Sequence, residues 1–176
     1  MITTERLLLR DWQDEDVAPF HAMSQDAEVM RYLGPPTTIE QAWDVKRRMN
    51  ERQAELSYCF WALERRADRS FIGFCGLLPA KPPIEGEVEI GWRLAREAWR
   101  QGYAREAAAA TLAWTWSSTD LPSVAAITVP ANRRSWRLME RLDMVRVLDG
   151  DFDHPDLPDG DPLRRHILYR VARPDP

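Results

Sequence analysis

Within residues 87–116 the chain changes its hydrophobic period over a few positions, and few folds accommodate both halves. Val88, Ile90 and Trp92 alternate with Glu87, Glu89 and Gly91, the two-residue repeat of a strand. Past Arg100-Gln101-Gly102-Tyr103-Ala104 an alanine-rich run reaches Trp116 with helical character. The unit is a strand, a glycine-containing turn and a helix. The first N–H groups of a helix have no partner within it, and its aligned peptide dipoles make that end positive, so the turn can bind an anion. Gly102 and Ala104 carry almost no side chain, which lets a group the size of a diphosphate approach the backbone.

The remaining chain alternates in the same manner. Residues 7–12 read as a first strand, and Asp14 or Asp16 caps a helix over Val17, Phe20 and Met23. A short helix follows over 27–32 and stops at Gly34-Pro35-Pro36. Thr38 with Gln41 three residues later is a capping-box signature for a helix over 39–56. Residues 58–64 and 71–78, rich in aromatic and branched side chains, flank 65–69 as an antiparallel hairpin. Pro82 and Pro83 lack the N–H that a ladder needs, so 80–84 form a loop and the central strand starts near Gly86. The helix that starts near Gly102 extends to Ser117, residues 124–129 form the next strand, and Asn132 or Ser135 starts another helix with Trp136, Met139 and Leu142 on its buried side. Two late strands, 145–148 and 165–171, enclose a surface loop over 149–162, dense in Asp, Pro and Gly. This order predicts one domain, 1–176, of α+β (mixed α/β) class: a mixed sheet of six or seven strands with helices on both faces.

The turn at 99–104 resembles the acyl-CoA loop of the GNAT superfamily of N-acetyltransferases, in which a basic or polar residue, two further residues, Gly, any residue, then Gly or Ala open a helix. Trp99 takes the first position here, followed by Arg100, Gln101, Gly102, Tyr103 and Ala104. Glu89-Ile90-Gly91-Trp92 upstream looks most like the branch containing the ribosomal-protein N-terminal acetyltransferases. Downstream, Thr128 to Ser135 and Leu138 to Leu142 match that family's next strand and helix.

The resemblance implies a three-layer fold whose central sheet splays. It implies acetyl-CoA as co-substrate, with the main chain of Trp92 and Leu94 holding the pantetheine and the N–H groups of Arg100, Gln101, Gly102, Tyr103, Ala104 and Arg105 the diphosphate. Asn132 and Ser135 complete the cofactor site. Arg133, Arg134 and Arg137 either meet adenosine phosphates or form a solvated basic face. The reaction implied is direct attack of an amine on the acetyl thioester in a ternary complex. An ammonium must lose a proton before it attacks, and a carboxylate near the acyl carbon can accept it. Glu87 and Glu89 share a strand face; Glu89 aligns with the family's EIG glutamate and is the candidate base. The leaving thiolate is stabilised by a donor. Met139 stands where many members have a tyrosine, which leaves Ser135 as candidate acid, or else as a helix cap. Asp143 replaces the family's usual Gly, at a left-handed helix end that Asp can adopt. A non-catalytic acyl-CoA sensor would keep the loop without the acid and base.

Composition excludes several other classes. A net charge of −4 lacks the basic face that broad nucleic-acid binding requires. No stretch approaches the roughly 20 apolar residues of a membrane span, and the start, Met1-Ile2-Thr3-Thr4, lacks a signal-peptide layout, so a cytoplasmic location is expected. Cys59 and Cys75, without CxxC spacing or a histidine cluster, read as buried inert thiols. The acidic run at 149–162 lacks the EF-hand order, so no metal is expected. The acceptor is an amine, a protein N-terminus or a small molecule, and the chain is expected to be a monomer or homodimer.

Overall fold

A computed structural model describes residues 1–175. Eight strands form one sheet in the order β1-β2-β3-β4-β5-β6-β8-β7. They are β1 (Ile2–Thr3), β2 (Leu7–Arg10), β3 (Phe60–Arg65), β4 (Ser70–Pro79), β5 (Val88–Leu94), β6 (Ser123–Thr128), β7 (Val145–Asp153) and β8 (Arg165–Ala172). The helices are α1 (Val17–Met23), α2 (Ala27–Met30), α3 (Ile39–Leu56), α4 (Tyr103–Ser118) and α5 (Arg133–Glu140). Among the described residues only β5 and β6 run parallel; all other neighbours are antiparallel.

The mixed α/β class stands, with one strand more than the six or seven expected. The additional strand is β1, whose two residues pair Ile2 with Leu9 and Thr3 with Leu8; two residues are too few to display a period. Helices cover both faces. Phe20 of α1 packs on Phe74 at 6.2 Å between ring centres, whereas the next residue, Cys75, meets Thr111 of α4 at 3.7 Å. Adjacent strand residues point to opposite faces, so α1 and α4 lie on opposite sides of β4. Leu7, Leu9, Leu63, Leu77, Ile90 and Trp61 are fully buried in the core between these layers. Among the described residues, no helix is long and apolar enough to cross a membrane.

Local chemistry sets the boundaries. Thr38 Oγ1 accepts from Gln41 N–H (3.2 Å) and Gln41 Oε1 from Thr38 N–H (2.8 Å), and α3 starts at the next residue as expected. β2 ends at Arg10, two residues short of the expected Trp12. The Arg10 guanidinium binds Asp16 (2.7 and 2.9 Å) and Glu64 (2.8 Å), and the Trp12 indole donates to Phe60 C=O (2.6 Å). These two contacts turn the chain inward. α2 closes at Met30, and β7 continues through Asp153, well into the expected 149–162 loop. Between the pairs Val147–Leu168 and Phe152–His166, β7 advances five residues while β8 advances two. The excess bulges outward, so pairing resumes at Phe152, whose ring stacks on His166 at 5.7 Å. The acids of this hairpin face arginines: Asp151 pairs with Arg146, Asp153 with Arg165 and Asp159 with Arg164.

Candidate active site

The site begins with a missing ladder. β4 and β5 share seven register pairs, Gly73–Leu94 through Pro79–Val88, but β5 and β6 share one, Glu89–Ala125. Past Glu89 the two parallel strands part. Ala80 N–H bonds Glu87 C=O (2.9 Å) and Ala95 N–H bonds Ile72 C=O (2.9 Å), which fixes the antiparallel alternation: odd residues of β5 bond to β4, and even residues turn their main chain toward β6. The Glu89–Ala125 pair uses Val88 C=O and Ile90 N–H, so the groups left facing the gap are the Ile90 C=O and the main chain of Trp92 and Leu94. The Leu94 carbonyl is engaged there, accepting from the Trp99 indole N–H (2.9 Å), so Trp92 offers the freer backbone.

Both helices that follow this parallel pair start beyond its C-terminal end. Gly102 is the N-cap of α4 at φ 85°, and no side chain caps the helix. The first intrahelical bond is Glu106 N–H to Gly102 C=O (3.0 Å), so the amides of Tyr103, Ala104 and Arg105 have no partner within the helix. Arg100, also left-handed at φ 61°, and Gln101, whose side-chain Nε2 donates to Glu97 C=O (2.6 Å), complete the turn. Tyr103 contributes backbone only, since its side chain is buried. The loop is held from outside by Arg6, which sequence reasoning missed. Arg6 Nη1 donates to Gln101 C=O (2.9 Å), Nε donates to Glu106 (2.7 Å), and the guanidinium lies 4.6 Å from the Tyr103 ring centre. Its only sequence signal was a charged residue before an apolar strand.

Asn132 is the N-cap of α5, its side chain accepting from Ser135 N–H at 3.4 Å. Ser135 is therefore not the cap; it occupies the first turn, half-buried. Arg134 lies 4.7 Å over the Trp99 ring, which joins the start of α5 to the turn before α4. Met139, at the expected tyrosine position, is buried in the core and does not line the gap. Asp143 takes the left-handed conformation at φ 59°, and Met144 N–H bonds Met139 C=O (3.1 Å), the closing turn anticipated for this substitution.

The two glutamates differ in their surroundings. Glu87 accepts both prongs of Arg170, from Nε at 2.7 Å and Nη2 at 2.6 Å. Glu89 has no ion-pair partner among the described residues; burial pushes its carboxyl up to about 7, with Lys81 pulling weakly the other way. It sits where the strands begin to part. Neither cysteine is set for chemistry: both are buried and free, and burial raises each thiol to about 12.

The family model described as an acetyltransferase (GNAT) domain matches residues 6–145. Among curated proteins, YkkB of Bacillus subtilis (strain 168) is 32% identical over 146 residues, covering 81% of this chain and 84% of YkkB. The uncharacterised N-acetyltransferase YoaA of the same organism is 29% identical over 176 residues, covering 99% and 97%. Among solved structures, a GNAT-family acetyltransferase from Bacillus anthracis superposes with a TM-score of 0.81 at 25% identity, covering 98% of each chain.

Proposed function

The chain belongs to the GNAT acetyltransferase family and uses acetyl-CoA as co-substrate, and on that premise we propose that it acetylates a primary amine by direct attack within a ternary complex, Glu89 acting as the base. The observation that carries this reading is the contrast between the paired Glu87 and the unpaired Glu89, whose proton affinity near neutrality suits a base at physiological pH.

In this reading the diverging edge of β5 and the uncapped start of α4 take the extended cofactor, with the Trp92 main chain along its arm and the amides of Tyr103, Ala104 and Arg105 at its phosphates. Glu89 takes a proton from the ammonium, directly or through one water. The neutral nitrogen then bonds to the acyl carbon, and as the carbon–sulfur bond breaks the departing thiolate takes a proton from the Ser135 hydroxyl, the candidate donor, which is made good by the second proton that the nitrogen loses as the amide forms. The products are an acetamide and free CoA thiol. The buried, protonated cysteines support transfer without an acyl-enzyme.

A panel of amines incubated with acetyl-CoA and followed by thiol release tests the proposal. Turnover with at least one amine is expected, reduced by a factor of ten or more in Glu89→Gln with little change in acetyl-CoA affinity. Wild-type rates in Glu89→Gln on the best acceptor would remove Glu89 from the role. Label trapped by acid quench on Cys59 or Cys75 would replace the direct mechanism with a covalent one.

A further inference from the structure

Arg93 follows Trp92 on β5 and shares a face with Glu89 and Gly91, the face against which α1 and α2 pack. Its guanidinium is caged rather than paired. Nη1 approaches the Met30 thioether at 3.6 Å, and the guanidinium carbon stands 5.4 Å from the Phe74 ring centre and 5.8 Å from that of Phe20. Nε is buried with no acceptor. Among the described residues no carboxylate pairs with it; Asp26 pairs with Arg96 at 3.7 Å and Asp16 with Arg10. Arg10 shows how this chain treats a buried guanidinium when it is structural, giving it two carboxylates, Asp16 and Glu64.

A buried charge persists where an anion compensates it. Phe20 and Phe74, whose ring centres are 6.2 Å apart, attract the cation from one side, but they leave the edge formed by Nε–H and Nη2–H unanswered. That edge presents two parallel donors, the geometry that a carboxylate meets with both oxygens. Arg93 as a whole is half-buried, and although Nε is closed to solvent, Nη2 is not among the closed-off atoms, so an outside carboxylate enters at Nη2 and meets Nε–H as it seats. The cofactor is a poor source of the anion, since its phosphates are expected at the start of α4, on the opposite face of the sheet.

We propose that Arg93 binds a carboxylate of the acceptor, so that the substrates of this enzyme are amines carrying a carboxylate at a distance, as longer ω-amino acids and short acidic peptides do, in preference to polyamines. The proposal rests on the reading of Glu89 as the place where the amine is deprotonated. Glu89 and Arg93 are four residues apart on one strand, about 13 Å between Cα atoms at ordinary strand rise, so amine and carboxylate occupy opposite ends of an extended acceptor. Arg93 is then a specificity determinant.

The test uses the full-length protein saturated with CoA and follows arginine Nε–H signals by nuclear magnetic resonance, with Arg93 assigned by the signal lost in Arg93→Lys. The probes are N-acetylglycine through N-acetyl-6-aminohexanoate, each beside its carboxamide. At least one carboxylate is expected to move the Arg93 signal saturably while its carboxamide does not. With the parent amines and acetyl-CoA, wild type is expected to favour the acid over the amide by tenfold or more in kcat/KM. Arg93→Met should bring that ratio near one, lowering kcat/KM for the acid far more than for the amide. The proposal is overturned if no carboxylate moves the signal, or if Arg93→Met slows acid and amide alike, which would make Arg93 part of the aromatic packing. If no amine releases thiol, the deprotonation role of Glu89 falls, whereas the titration still decides whether Arg93 holds a carboxylate.

Discussion

Glu87 and Glu89 are chemically identical and two positions apart, and what separates them is Arg170, 83 residues further along. A carboxyl whose pKa rises on folding binds its proton more tightly in the folded state than in the unfolded one. For Glu89, raised from 4.5 to about 7, the associated stability is complete below about pH 4.5 and is lost as pH climbs through 7. Glu89→Gln removes that loss, so its Tm relative to wild type should be higher at pH 8 than at pH 5; an unchanged difference between the two would show that Glu89 titrates normally. The rate profile carries the companion expectation: the acid limb near pH 7 in wild-type kcat disappears in Glu89→Gln. Glu87→Gln should leave that limb in place and cost about 1 kcal/mol in denaturant unfolding, the scale of a partly exposed pair. Strand parity put both glutamates on one face without saying which of them was neutralised. Arg6 was equally illegible, because its meaning lies in Glu106, 100 residues away.

Elements defined by their own neighbours were readable. The Thr38 and Gln41 signature placed the start of α3 correctly, and Ser57, left-handed at φ 65°, closes it. Thr38→Ala should cost about 1 kcal/mol, seen as a lower denaturant midpoint with an unchanged slope. The turn into α4 was readable for the same reason, since Gly102 at φ 85° needs the freedom that only glycine has at low cost. A Cβ there would meet Arg6 Nη2 at 3.3 Å. Gly102→Ala should therefore lower stability by roughly 1 kcal/mol and weaken acetyl-CoA binding, and Gly102→Asp should abolish binding measured by calorimetry. Elements defined by distant partners were not readable. β1 exists because β2 offers an edge, and the second half of β7 exists because Phe152 finds His166 across a bulge that a count of Asp and Pro residues reads as loop.

At the scale of the molecule, acetyl-CoA should raise Tm, since a ligand bound only by the folded state stabilises it by mass action, about 2.7 kcal/mol at a hundredfold excess over Kd. For a chain of this length that amounts to roughly 5–10 °C, and the absence of any shift at millimolar acetyl-CoA would contradict the placement of the cofactor. The single register pair between β5 and β6 has a mechanical consequence as well. The eight strands form two panels, β1 to β5 and β6 to β8, each laced continuously and joined to the other by one stitch at Glu89 and Ala125. Across that seam the sheet resists shear through its helices rather than through its ladder. The Trp92 amide proton, facing the gap without a ladder partner, should consequently exchange with solvent without any opening of the panels, faster than those of Leu63 or Cys75 deep within one of them. A bound cofactor would act as the missing thread, slowing exchange at Trp92 far more than within either panel.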